Sequence, residues 1–373
     1  MIRIGVDCRL AGPKNAGIGR YIENLIIRLP GLSLAERMPE IKWVFFFLDQ
    51  EQLISARNQI SHPELVEFAL TPIRHYTFGE QLRLPINFIQ KKLDLLHVPH
   101  FNAPLLYPGK LVLTIHDLLW HKQTGLHMTT LKPWQYHLKY LAYRRVTRAA
   151  INKSRLIFVP TQTVQKIVSQ IFPQASQKIS VTYEGYNSIF DQPTAPNYQK
   201  RTKSLIYLGS LYPHKNLQLV IRALQKLPDW KLKIIGSREI FKDRLIELSQ
   251  ELGVKDQLTW LGYLPDKKLI AEFNQSLALV QPSISEGFGL TGIEAMAAGL
   301  PVLASEIDTF QEIYQTAPAY FNPRSVESFL TAISKLSQKK QWQQSQKTGR
   351  AVATNFSWDK MAEQTLQGYV SQI

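Results

Sequence analysis

A chain of 373 residues exceeds one ordinary core, and a hydrophobic share of 45% with 20% charged residues excludes a disordered or low-complexity protein. The net charge of +15 is uneven: residues 1–190 hold 23 Lys and Arg against 12 Asp and Glu, whereas residues 191–373 hold 21 against 17. The single cysteine, Cys8, excludes an intramolecular disulfide and a thiolate metal cluster, which fits a reducing cytosol.

The opening Met-Ile-Arg-Ile-Gly-Val-Asp reads as a first strand and not as a signal peptide, because the apolar h-region is missing. The longest apolar run, Trp43 to Leu48, is far short of the roughly 20 residues a spanning helix needs and reads as a buried strand. Further strands are expected at Leu65–Leu70, Leu95–Val98, Leu111–Ile115, Arg155–Val159 and Ile179–Tyr183, with amphipathic stretches between them. A hydrophilic segment with Pro193, Pro196 and Gln199–Lys203 then interrupts the pattern, as an interdomain linker does. A second series follows at Leu205–Leu208, Leu232–Ile235, Leu258–Leu261, Leu277–Gln281 and Pro301–Ala304, and a final helix is expected behind Ser357. The alternation predicts an α/β fold of two Rossmann-like domains, residues 1–195 and 196–354, facing a central cleft. Residues 355–373 are expected to pack back on the first domain. No tandem repeat is present, so the duplication is one of architecture.

Several segments carry candidate chemistry. Gly17-Ile-Gly19-Arg-Tyr follows the first strand as a glycine turn, with a helix expected from about Arg20. It lacks the full Gly-x-Gly-x-x-Gly spacing of a dinucleotide dehydrogenase. His97 and His100 have His-x-x-His spacing, but no nearby Cys or carboxylate cluster completes a ligand set, so they read as part of a structural loop. His116 and Asp117 stand at a strand's carboxyl end, where open α/β sheets place ligands. The most informative stretch is Gln281-Pro-Ser-Ile-Ser-Glu-Gly-Phe-Gly-Leu-Thr-Gly-Ile-Glu-Ala-Met-Ala-Ala-Gly-Leu-Pro-Val302, a strand, glycine loop, helix and strand in succession. Gly287 and Gly289 leave the backbone open where the helix begins, so unpaired N–H groups and the helix dipole can face an anion such as a diphosphate. Glu286 and Glu294 can approach one edge of that site, and carboxylates accept hydrogen bonds from vicinal hydroxyls.

Pro-Ser-x-x-Glu-Gly-Phe-Gly-Leu followed by Glu-Ala-Met-Ala-x-Gly-x-Pro-Val resembles the signature of the family-four retaining glycosyltransferases, of GT-B architecture, and within them the mannosyltransferase-like group. The likeness extends to Tyr207-Leu-Gly209-Ser210-Leu-Tyr-Pro-His-Lys215-Asn-Leu and to Trp260-Leu-Gly-Tyr263, and so covers the chain in order. Two positions depart from it: Ser210 and His214 stand where many relatives carry Arg or, at His214, another long polar residue. The resemblance implies a donor site of Gly17, Gly19, Gly209, Ser210, Lys215, Tyr263, Glu286, Gly287, Phe288, Gly289, Leu290 and Glu294. Glu286 would hold the donor sugar's hydroxyls, Glu294 the ribose, Lys215 the departing diphosphate, and His116 would lie near the reacting carbon. It further implies transfer of a hexose, mannose first, from a GDP- or UDP-linked donor to a glycan or lipid-linked acceptor, without cofactor or metal ion. A sugar-nucleotide epimerase or a phosphorylase shares the architecture and is the alternative. Nucleic-acid binding is disfavoured because no RRM, KH or zinc motif accompanies the basic half.

No acidic residue occurs between Asp117 and Glu184, a span with ten Lys and Arg. Within it, residues 131–155 combine seven basic residues with Trp134, Tyr136, Leu138, Tyr140, Leu141 and Tyr143. This composition predicts a cytoplasmic protein peripheral on the inner face of an anionic membrane. Were the helix an ordinary Rossmann helix, Leu138, Leu141 and Tyr143 would instead form its core face.

Overall fold

The computed structural model describes residues 1–36, 40–122, 125, 129, 131–191, 197–236 and 240–373. It divides into two compact units, Met1–Glu184 with Trp358–Ile373, and Gly185–Ser357. The expected linker prolines, Pro193 and Pro196, lie outside the described residues.

The first unit runs β1 (Ile2–Asp7), α1 (Ala16–Ala35), β2 (Ile41–Phe47), α2 (Gln50–Gln59), β3 (Val66–Leu70), α3 (Phe78–Leu82), α4 (Leu84–Gln90), β4 (Leu95–Val98), β5 (Leu111–Thr114), α5 (Leu119–Lys122), α6 (Pro133–Lys153), β6 (Leu156–Val159), α7 (Gln162–Ile171) and β7 (Ile179–Val181). Its seven strands pair in parallel in the order β3-β2-β1-β4-β5-β6-β7. Both faces of such a sheet are covered by helices, which explains near-continuous apolar strands such as Trp43-Val-Phe-Phe-Phe47, every residue of it buried.

The second unit runs β8 (Ser204–Leu208), α8 (Leu217–Leu224), β9 (Lys231–Ile235), α9 (Lys242–Glu251), β10 (Leu258–Gly262), α10 (Asp266–Phe273), β11 (Ala278–Gln281), α11 (Leu290–Ala297), β12 (Val302–Ser305), α12 (Asp308–Tyr314), β13 (Ala319–Phe321), α13 (Val326–Leu336) and α14 (Lys339–Ala353). Its sheet is parallel, in the order β10-β9-β8-β11-β12-β13. The last helix, α15 (Trp358–Val370), returns to the first unit. There Tyr369 packs against Trp43, His97 and Phe158, and Arg28 of α1 meets Asp359 at 2.5 Å. The fold is thus two parallel-sheet Rossmann-like domains.

Two expectations are corrected. The first helix begins at Ala16 and not near Arg20, so Gly17 and Gly19 lie in its first turn and not in a turn ahead of it. The reason is packing: a Cβ on Gly19 would sit 1.9 Å from the carbonyl oxygen of Gly12, so glycine there permits two backbones to touch. In the second unit, β13 adds a strand that the apolar pattern did not reveal, because it is three residues long and only Phe321 in it is buried.

Candidate active site

Strand order in the second unit reverses between β8 and β11, and an open parallel sheet forms its ligand crevice beyond the carboxyl ends of strands at such a point. The loop after β8 carries Gly209 to Asn216, and the loop after β11 carries Pro282 to Gly289. Lys215 and Glu286 project from these loops and meet, Nζ to Oε1 at 2.6 Å, with side chains 21% and 13% exposed. Ser283 donates its hydroxyl to the same Oε1 at 2.8 Å. Burial opposes ionisation of Glu286, but the Lys215 ammonium outweighs it and holds the carboxyl below its usual range.

The chain around this pair is fixed from several sides. Asn216, in the left-handed region at φ 56°, donates its side-chain amide to the carbonyls of Pro282 and Pro323. Ile284 N donates to His214 O at 2.9 Å, and Thr309 Oγ1 donates to Glu286 O at 2.9 Å. His214 stacks on Tyr212, and burial followed by the Lys215 charge pushes its pKa down to about 3, so it contributes no charge of its own. Gly289 caps α11 at φ 92°, and a Cβ there would stand 2.3 Å from the Tyr314 hydroxyl, which donates to Gly289 O. Glycine is required at this position both for its backbone angle and for the tyrosine. The first turn of α11 follows directly, starting at Leu290, and Gly292 N in it donates to Gly289 O at 3.0 Å.

Glu294 lies within α11 and is 1% exposed, while Phe288 packs edge-on against Phe356. Gly209 and Ser210 begin the β8 loop, where Ser210 O accepts a hydrogen bond from the buried Tyr207 hydroxyl at 2.5 Å. The structure therefore gathers Lys215, Glu286 and Gly287–Leu290 at the β8/β11 reversal. Tyr263 stands apart: it follows β10, at the sheet's far edge, and is 58% exposed.

The remaining candidates belong to the first unit. Gly17 has nothing within 4 Å of where a Cβ would lie, so the start of α1 offers open space there. His116 follows β5, its Nδ1 3.3 Å from Glu184 Oε1, its ring meeting Tyr21 edge-on at 4.8 Å, and its Nε2 buried without a protein partner among the described residues. Tyr21 shares Thr114 Oγ1 with His97 Nε2, and His97 Nδ1 reaches the Tyr369 hydroxyl at 2.5 Å. His97 is thus a buried core residue whose pKa burial lowers to about 3, and His100 pairs elsewhere, with Tyr76. Sequence reasoning missed Glu184 and Ser283. Ser283 sits in the quoted motif three residues before Glu286, whereas Glu184 carries no local signal.

The chain is similar to several known proteins. Residues 189–354 match the family model described as Glycosyl transferases group 1. The chain is 28% identical over 269 residues to the O-antigen chain mannosyltransferase RfbU of Salmonella typhimurium, covering 70% of each chain. It is 23% identical over 392 residues to the O-antigen chain mannosyltransferase B of Escherichia coli, covering 95% of each. Among solved structures, Anabaena Alr3699/HepE in complex with UDP and glucose superposes with a TM-score of 0.73 at 17% identity over all of both chains. WaaG, a glycosyltransferase involved in lipopolysaccharide biosynthesis, superposes with 0.70 at 16% identity over 98% of this chain and 99% of that one. The family match and the relatives indicate a glycosyltransferase, and the structural neighbours share its GT-B fold.

Proposed function

We propose that the protein is a retaining hexosyltransferase that uses a nucleotide diphosphate sugar, GDP-mannose first among the donors, and a glycan or lipid-linked acceptor. The observation that carries this reading is the meeting of Lys215 with Glu286 beside the start of α11. Departure of a nucleoside diphosphate develops negative charge on phosphate while the sugar becomes oxocarbenium-like, so the site must supply opposite fields a few ångströms apart. Lys215, the amides at Gly287 to Leu290 and the α11 dipole serve the phosphates. In this reading Glu286 accepts hydrogen bonds from the sugar and Glu294 from the ribose, and His116, whose Nε2 is buried without a protein partner among the described residues, is assigned to the transferred sugar. This division of labour needs no metal ion. The mannosyltransferase relatives support the choice of sugar.

The reading extends to the membrane surface. On α6, Trp134, Leu138 and Leu141 are exposed, the first two at 65% and 63%, at the i, i+4, i+7 spacing of one helix face. Tyr143, by contrast, turns inward against Phe101 and Trp120. No helix among the described residues is long and apolar enough to cross a membrane. This exposed apolar face continues into Arg145 and Arg148 along the same side of α6, with Arg144 beside it, and supports peripheral docking on anionic lipid.

Thermal shift against nucleosides, nucleoside diphosphates and nucleotide sugars tests the donor assignment, since a ligand that binds only the native state raises its stability. GDP is expected to raise the melting temperature and guanosine to do so far less. No response to any nucleoside diphosphate sinks the assignment. Flotation with anionic and neutral vesicles, with Arg144, Arg145 and Arg148 changed together to Gln, tests the docking.

A further inference from the structure

The first unit exposes a second apolar stripe that the α6 reading does not use. Residues 78–90 form nearly one helix: α3 is capped by Thr77, and Arg83, between α3 and α4, keeps right-handed helical angles. Phe78, Leu82, Ile86 and Ile89 follow at spacings of four, four and three, so they lie on one face over about 17 Å. Phe78 is 90% exposed, and the other three are about half exposed or more. The opposite face, with Leu84, Pro85 and Phe88, is buried.

Beneath the start of this stripe lies a buried ion cluster. Arg9 is fully buried and grips Asp7 with Nε and Nη2, at 2.8 and 2.6 Å, and Glu80 with Nη2 at 2.9 Å. Glu80 also accepts from Asn102 Nδ2 at 2.5 Å and from the backbone N–H of Tyr76 at 2.7 Å. Tyr76 is held at φ 62°, in the left-handed region, with its hydroxyl 3.2 Å from His100 Nε2. Burying three charges carries a desolvation cost, and it fixes the turn that presents Tyr76 and Phe78 to solvent. A backbone turn fixed in this way is pre-organised for contact, because little backbone freedom is lost when the side chains it presents are covered.

Charge selects the covering surface. Between Thr71 and Leu93 the exposed charged side chains are Arg74, Arg83 and Lys92, and the one acid of this segment, Glu80, is buried. Ring contacts lead from Tyr76, in the turn ahead of the stripe, through His100 and Phe101 to Tyr143 on the inward side of α6. We propose that residues 76–90 form a second lipid-contact surface, seated at the headgroup boundary of an anionic bilayer with Phe78, Leu82, Ile86 and Ile89 towards the acyl chains. The proposal rests on the membrane-surface reading of α6 and assigns that docking a second point of contact.

Cys8 is buried, so a cysteine introduced at Phe78 can be labelled alone with a polarity-sensitive thiol dye. Ser334→Cys, exposed on α13 of the other unit, serves as reference. The label at 78 is expected to shift to the blue with phosphatidylglycerol-containing vesicles at low salt, and not with phosphatidylcholine alone, while the label at 334 does not shift. Unlabelled Phe78→Ser is expected to lower vesicle partitioning roughly tenfold, the scale of one large apolar side chain returned to water. If the protein floats with anionic vesicles but the label at 78 keeps its aqueous emission, the stripe is not a lipid contact and docking through α6 stands. If the protein does not float, both readings fall. A blue shift without vesicles that grows with protein concentration assigns the stripe to a second copy of the chain and overturns the proposal.

Discussion

Lys215→Ala separates the phosphate-facing half of the site from the rest. Among the described residues Lys215 makes one charge-assisted hydrogen bond, at 2.6 Å to Glu286. Such bonds contribute about 1.5–3 kcal/mol, or about 10- to 150-fold in affinity. A diphosphate must take Lys215 from Glu286, so only the surplus of its second negative charge over the single carboxylate is gained, and the expected loss is about tenfold, the lower end of that range. Nucleoside binding, which involves no phosphate, should be unchanged. Removing the cation takes away the largest group that opposes burial at Glu286 and leaves the weaker Ser283 hydrogen bond. In the wild type its carboxyl lies below the ordinary range, so the stability from the Lys215–Glu286 pair is full above the unfolded carboxyl's pKa. It is lost as pH falls through the lower folded value. In Lys215→Ala the carboxyl moves upward instead, so the acid limb of the kcat/KM profile should shift to higher pH. Calorimetric titration with GDP, UDP and their nucleosides, joined to a pH–rate profile, checks both effects. Equal weakening of nucleoside and nucleoside diphosphate, or an unmoved acid limb, would refute the reasoning.

Glu286→Gln and Glu294→Ala should each lower transfer by about 100-fold or more, the scale of a lost transition-state hydrogen-bond partner, while circular dichroism stays native. Near-wild-type turnover in both would remove them from the site. Gly19→Ala should destabilise the fold by about 1–3 kcal/mol through the contact with Gly12 O, seen as a lower melting temperature. Gly17→Ala meets no such contact and should leave stability intact or raised, so any loss of donor affinity in it reports a ligand at the start of α1. Glu184→Gln keeps shape while removing the charge beside His116 Nδ1, and is expected to lower kcat with KM and melting temperature unchanged. A fall in melting temperature with kcat preserved would make the pair structural.

Much of the fold was legible because parallel strands covered on both faces must be apolar throughout, as in Trp43–Phe47 and Ala278–Gln281. Short strands give too little signal, and β13 escaped for that reason. Gly17-Ile-Gly19 reads as a turn because glycine suits both tight turns and close backbone approach, and local sequence does not say which; the partner backbone at Gly12 decides it. The loop and helix holding Glu286 and Glu294 lie within one contiguous motif and could be placed from it. Their surroundings could not: Lys215 lies 71 positions from Glu286, His116 68 from Glu184, and Arg9 71 from Glu80, and only the folded sheets bring these pairs together. On α6 the sequence left two faces open, and the exposure of Leu138 and Leu141 removes them from the core.

Retaining transfer from a nucleotide diphosphate sugar at the Lys215–Glu286 site is the proposed activity. Its most direct measurement is proton NMR of the product formed from GDP-α-mannose and a membrane-extracted lipid-linked acceptor, recorded before the anomers can equilibrate, with Glu286→Gln in parallel. An α-mannosidic product and free GDP are expected from the wild type, and both about 100-fold more slowly or not at all from the variant. A β-linked product, or equal turnover by Glu286→Gln, would contradict the proposed activity.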